Sequence, residues 1–159
     1  MEIRTCEPTD LKNVLDLSLS AWKPVFDSIR RTLGPELFTE FYGDDWRVTQ
    51  RDAVEQVCTS GEFEVEVAVK DGRVAGFVAT RIDPEDRIGE IYMIAVSPDQ
   101  QRRGVGAKLT NHAIQGLKDR GMSVAMVETG ADPGHAPARS LYEAAGFTLW
   151  PAARYFKKL

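Results

Sequence analysis

The stretch IGEIYMIAVSPDQQRRGVGAKL, residues 88–109, sets the fold. Residues 88–96 are apolar on nearly both faces, as expected of a strand in the middle of a sheet. A polar connection, SPDQQRRGVG, follows. Val105, Leu109, Ala113 and Leu117 then recur every four residues, as on the buried face of a helix. Lys118 and Arg120 suit that helix's last turn, and Gly121 its left-handed cap. SVAMVET, residues 123–129, reads as another buried strand. Strand, loop, helix and strand make a crossover that places the two strands parallel.

Upstream, FEVEVAVKDGRVAGFVATRI (residues 63–82) alternates at period two around Asp71-Gly72, a hairpin signal because both residues tolerate positive φ. EIRTC (2–6) reads as a short strand, and Pro8-Thr9-Asp10 caps a helix carrying Leu11, Val14, Leu15, Leu17 and Leu19. Pro24 and Gly34-Pro35 punctuate the next stretch, where a mostly helical pattern to about residue 60 predicts two or three helices. Downstream, GADPGH (130–135) precedes a short helix with Pro137 in its first turn and Gly146 as its stop. FTLW (147–150) and ARYFKKL (153–159) read as a final strand pair. The expected class is α/β (α+β): a mixed, mostly antiparallel central sheet of about six to seven strands with helices on both faces. There is no repeat or Gly/Ser linker, and 159 residues suit a single domain over 1–159.

Composition narrows the function classes. With 43% hydrophobic and 28% charged residues the chain is of the soluble globular type. No apolar run reaches the ~18 residues of a membrane span, and MEIRTCEPTDLK lacks a leader's basic and apolar pattern, so the expected compartment is cytoplasmic. Cys6 and Cys58 are too few for a disulfide scaffold, and with His112 and His135 they form no zinc spacing, so the expected metal set is none. A net charge of -4 removes the general electrostatic case for nucleic acid.

The chemistry lies in Gln101-Arg102-Arg103-Gly104-Val105-Gly106-Ala107. A helix's first turn offers unpaired N–H groups and the positive end of its dipole, a natural anion site. Gly104 and Gly106 remove side chains that would obstruct a phosphate, and Arg102 and Arg103 add charge. A P-loop is excluded, because Lys108 is followed by Leu109 rather than Ser or Thr. A dinucleotide GxGxxG fingerprint fails at its third glycine, again Leu109, although Glu128 lies 22 residues beyond Gly106. The segment resembles the coenzyme-A-binding core of the GNAT superfamily of N-acetyltransferases: apolar-x-Val-x-Pro, then (Gln/Arg)-x-x-Gly-x-(Gly/Ala), then a helix. ARSLYEAAGF, residues 138–147, resembles the same superfamily's Leu-Tyr-Glu-x-x-Gly-Phe segment.

The resemblance implies an acetyl-CoA cosubstrate and no metal. The backbone of Ile94, Ala95 and Val96 would pair with the pantetheine amides by strand addition. Gln101 opens the pyrophosphate loop, and the N–H groups of Arg102, Arg103, Gly104, Val105, Gly106 and Ala107 would hold the anion. An alkyl ammonium, pKa ~10, must lose a proton before it can attack. Glu90, which interrupts the apolar strand, matches the base of several family members, and Glu128 matches that of others. Tyr142 stands at the family's general-acid tyrosine, near the leaving thiolate. His135, seven residues earlier, replaces an asparagine that often contacts pantetheine, and Arg139 is placed to reach a cofactor phosphate.

The acceptor side is less determined. Six of the 14 aromatics, Trp22, Phe26, Phe38, Phe41, Tyr42 and Trp46, fall between residues 22 and 46, most of them core and some available to line a pocket. Glu36, Glu40, Asp44 and Asp45 suit a cationic ligand or simply a solvated helix. The expected partner is a small-molecule or peptide amine, with neither nucleic acid nor membrane, and a homodimer is left open. The alternatives are a non-catalytic acyl-CoA-binding regulatory module and a nicotinamide-binding oxidoreductase.

Overall fold

The computed structural model describes residues 1–159. Its strands β1 (Glu2–Thr5), β2 (Glu64–Lys70), β3 (Arg73–Asp83), β4 (Ile88–Val96) and β5 (Val124–Val127) form one five-stranded sheet in that spatial order. β1 to β4 are successively antiparallel and β5 is parallel to β4, as the crossover predicts. The helices are α1 (Leu11–Leu33), α2 (Pro35–Tyr42), α3 (Trp46–Thr59), α4 (Val105–Asp119) and α5 (Ala136–Ala144).

Side chains alternate across the sheet, so each face has its own core. On one face Val105, Leu109, Ala113 and Leu117 of α4 pack on Ala68, Ala75, Val78 and Ile91. On the other, Val14, Leu15 and Leu17 of α1 and Val54 and Val57 of α3 cover Val65, Val67, Phe77, Ala79 and Ala95. Two strand glycines let α4 approach. A Cβ on Gly89 would lie 2.3 Å from Leu117, and one on Gly76 would lie 2.8 Å from the Ala95 carbonyl oxygen. The Asp71-Gly72 turn has both φ positive, at 50° and 73°, as its hairpin requires. Most of the early aromatics are core: Phe26 stacks on Trp46 at 4.2 Å, with Phe38 and Tyr42 edge-on or tilted beside them. Cys6 and Cys58 are free, half-buried thiols in contact with each other.

Two expectations are corrected. Pro24 does not interrupt a helix; it sits inside α1, which buries Leu15 and Leu17 before it and Phe26 and Ser28 after it. Packing on both sides holds the helix together although proline cannot donate to the Ser20 carbonyl. The final strand pair does not form, so the sheet has five strands rather than six or seven. Pro151, between the two segments, fixes its own φ and has no N–H to donate. Leu149, Trp150 and Tyr155 stay in solvent, while Arg154 pairs with Glu128, Lys158 with Glu40, and Phe156 meets Phe41 edge-on. No helix is long and apolar enough to cross a membrane.

Candidate active site

The site begins with a defect in β4. Ala79 pairs with Met93 but Thr80 with Ile91, so Tyr92 is an extra residue, a β-bulge. A bulge bends its strand and increases the local twist. Pairing with β5 covers only Ile88–Ile91 and stops at the bulge. From Tyr92 to Val96, β4 therefore has β3 on one edge and no strand on the other. Ile94, Ala95 and Val96 lie on this free edge, where an extended ligand can add as a strand.

The free edge runs into the predicted loop. None of the amide N–H groups from Gln101 to Ala107 has a backbone partner, and the first main-chain bond of α4 is Lys108 to the Gly104 carbonyl, 3.1 Å. Arg102 (φ 60°) and Gly104 (φ 81°) are both left-handed. Such residues turn successive N–H groups into a concave anion nest, and here the nest opens onto a helix N-terminus. Arg102 and Arg103 are exposed and take part in none of the molecule's ion pairs. Gln101 donates to the Val96 carbonyl at 3.1 Å, closing the turn behind the nest. The glycines differ. Gly104 supplies the left-handed φ, whereas a Cβ on Gly106 would meet Leu141 of α5 (3.4 Å) and Val96 (3.7 Å) at ordinary contact distance. The loop and strand edge fit a ligand with a phosphate group and an amide-bearing arm.

Glu90 and Glu128 belong to the other side of the sheet. Gly89 and Ile91 face α4, so Glu90 faces away from it, opposite Met126 of β5. Glu128 follows two residues after Met126. Both carboxylates are paired: Glu90 accepts from Arg81 Nε at 2.5 Å, and Glu128 contacts Arg154. Arg81 also lies over the Tyr92 ring, 4.8 Å from its centroid. Tyr92, Val124 and Met126 are exposed on this face, which the helices leave open.

Tyr142 of α5 is buried, with its ring against Phe147 at 5.9 Å. Burial pushes its phenol up to about 12. It is therefore a persistent hydrogen-bond donor at neutral pH. Delivering its proton outright to a thiolate, whose own pKa is ~8.5, would be uphill.

Arg139, expected at a phosphate, folds back instead: its guanidinium donates to the Gly130 and Asp132 carbonyls at 2.6 and 2.9 Å. A fixed guanidinium satisfies two otherwise orphaned loop carbonyls there. His135 lies in the same loop with Nδ1 against the Asp132 carboxylate. Sequence reasoning missed Asp132 and Ser28. The Gly134 N–H donates to the Ser28 hydroxyl at 2.9 Å and to Asp132 at 3.0 Å, docking the loop on α1. The only signal was Asp-Pro-Gly-His itself, which reads equally as a helix cap.

The acetyltransferase (GNAT) family model matches residues 27–147. The mycothiol acetyltransferase of Arthrobacter sp. is 40% identical over 85 residues, 51% of this chain and 26% of that protein; its counterpart in Thermomonospora curvata is 42% identical over 84 residues, 53% and 27%. The chain thus spans about a quarter of the length of these curated relatives. Among solved structures, the PaiA N-acetyltransferase of Thermoplasma acidophilum in complex with coenzyme A superposes with a TM-score of 0.71 at 16% identity, covering 96% of this chain and 92% of that one. The ribosomal-protein-S18-alanine N-acetyltransferase of Escherichia coli gives 0.62 at 24% identity, covering 92% and 77%. With a matching model over most of its length, and strand, anion-binding loop and helix in the expected order, the chain belongs to the acetyltransferase (GNAT) family.

Proposed function

We propose that the protein transfers an acetyl group from acetyl-CoA to a primary amine of a small molecule or peptide, by direct attack in a ternary complex. The observation that carries this reading is the pairing of two open backbone features along one path, the β4 edge that β5 leaves unpaired beyond Ile91 and the free N–H groups from Gln101 to Ala107 at the α4 N-terminus. The edge at Ile94, Ala95 and Val96 would take the pantetheine arm, and the amides of Arg102 to Ala107 the pyrophosphate. Acetyl-CoA supplies an electrophilic carbonyl and a thiolate leaving group. Tyr142 donates a hydrogen bond to that sulfur. Glu90 and Glu128, on the open face, attract and orient an ammonium. The curated relatives are named mycothiol acetyltransferases, which supports acetyl transfer as the reaction.

Isothermal titration tests the cofactor half: acetyl-CoA is expected to bind with a micromolar constant, and no heat at millimolar concentration would overturn the reading. Thiol release in the presence of primary amines tests the other half. Binding without amine-dependent release would leave an acyl-CoA-binding module in place of an enzyme.

A further inference from the structure

A protonated amine needs a base, and the structure places one where the sequence indicated only a cofactor contact. Both strand carboxylates are held by guanidinium groups, Glu90 by Arg81 and Glu128 by Arg154. His135 is differently placed. Its Nδ1 is against the Asp132 carboxylate, and Nε2 has no partner in the protein. Asp132 is itself fixed. Burial acts to raise its carboxyl, but hydrogen bonds from Ser28, His135 and the Gly134 N–H outweigh that and hold it below the ordinary range. Its side chain is 9% exposed, against 22% for His135, so the carboxylate is sheltered while the ring reaches the surface. This is the arrangement in which an acid orients an imidazole, fixes its tautomer and stabilises its protonated form.

The dyad also sits on the right side of the molecule. The Gly130–His135 loop docks through Gly134 onto Ser28 of α1, which packs on the same side of the sheet over Val65, Val67, Phe77, Ala79 and Ala95, while Met126 on that side stays exposed. The loop follows β5 along the chain, beyond the point where β5 leaves β4.

Building on the acetyltransferase reading, we propose that His135, oriented by Asp132, is the catalytic base that deprotonates the acceptor ammonium. Nε2 takes one proton from R–NH3+, giving the neutral amine and an imidazolium paired with Asp132. The amine nitrogen forms a bond to the acetyl carbon and the C–S bond breaks. The nitrogen's second proton ends on the sulfur as CoA–SH. His135 returns its proton to solvent, so the sum is R–NH3+ plus acetyl-CoA to acetamide, CoA–SH and H+. The polar and charged groups around the ring are Asp132 on its own loop, Arg139 from α5 held on the loop carbonyls, Ser28 from α1, and Tyr42 from α2, whose phenol is raised by burial and by Asp132.

The test uses the full chain with acetyl-CoA and two probe amines, propylamine and glycinamide. His135→Gln is expected to lower kcat by about 10²-fold and abolish the acid limb of the rate profile. Its coenzyme-A affinity should stay within about twofold, and its thermal midpoint near wild type. The loss should be larger with propylamine, the stronger base, and imidazole should restore part of the rate to His135→Ala. Wild-type turnover in His135→Gln would overturn the proposal. So would a tenfold loss of coenzyme-A affinity with the acid limb intact, which marks a pantetheine contact. Nitrogen-15 NMR of the wild-type ring gives a readout independent of turnover: Nδ1–H with bare Nε2 above pH 8 is expected, and the opposite tautomer overturns the dyad. Wild-type protein that binds acetyl-CoA but acetylates neither amine, with the expected tautomer, would count against the acetyltransferase reading rather than the dyad.

Discussion

At the scale of single residues, burial decides what Tyr142 does. Its folded value of about 12 exceeds the ordinary phenol's 10.0. A raised value gives stability that is complete below the unfolded pKa and is lost as pH rises from the unfolded towards the folded value. The two-unit gap corresponds to about 2–3 kcal/mol at most. Tyr142→Phe is therefore expected to flatten the fall in thermal midpoint between pH 10 and 12 relative to wild type. If the hydroxyl supports the leaving sulfur, the same variant also loses about 10- to 10²-fold in kcat at neutral pH, with coenzyme-A affinity unchanged. A full rate with the flattened alkaline profile would make the residue core and nothing more. The Glu90 carboxylate illustrates the converse: its sequence environment is apolar, yet Arg81 reaches it from the neighbouring strand, a cross-strand partner that only the register reveals.

Among elements, the strand, loop and helix at 88–119 were legible because each has a strong period and the glycines punctuate them. What was not legible depends on contacts between distant segments. Pro24 looks like a break, yet the α1 side chains on both sides of it are buried in the sheet and aromatic cores. FTLW and ARYFKKL alternate like strands, but alternation promises a strand only where an edge accepts it, and these residues lie along the surface. The dyad was hidden because Asp132 and His135, three residues apart, read as a cap. Close packing of α4 on the sheet is testable at its glycines. Gly76→Ala would set a methyl 2.8 Å from the Ala95 carbonyl and 3.0 Å from Leu109, a backbone collision that cannot relax locally. Gly106→Ala meets Leu141 at an ordinary 3.4 Å. Gly76→Ala is expected to cost about 1–3 kcal/mol in urea unfolding, and Gly106→Ala less than about 1 kcal/mol. Equal losses would show that the contact of α4 with β3 is not the tight one.

For the whole molecule, the proposed binding of a highly anionic cofactor works against a net charge of -4. The resolution is local. Arg102 and Arg103 are exposed and uncommitted beside a helix N-terminus, while elsewhere many charges are consumed in pairs such as Arg4–Asp10, Arg81–Glu90 and Arg120–Glu64. Attraction by the arginines acts through solvent and fades over a Debye length of about 10 Å at 0.1 M salt. The backbone amides of the nest bind at contact distance and are screened far less. Affinity for coenzyme A should therefore fall with ionic strength in the wild type. In Arg102→Ala/Arg103→Ala it should begin about 10-fold weaker at low salt and depend less on salt, so that the two proteins converge towards 1 M. Titrations at several salt concentrations read this directly. Parallel curves would mean that the arginines touch the phosphates at short range, and that the net charge is overcome by ion pairing rather than by the helix and its amides.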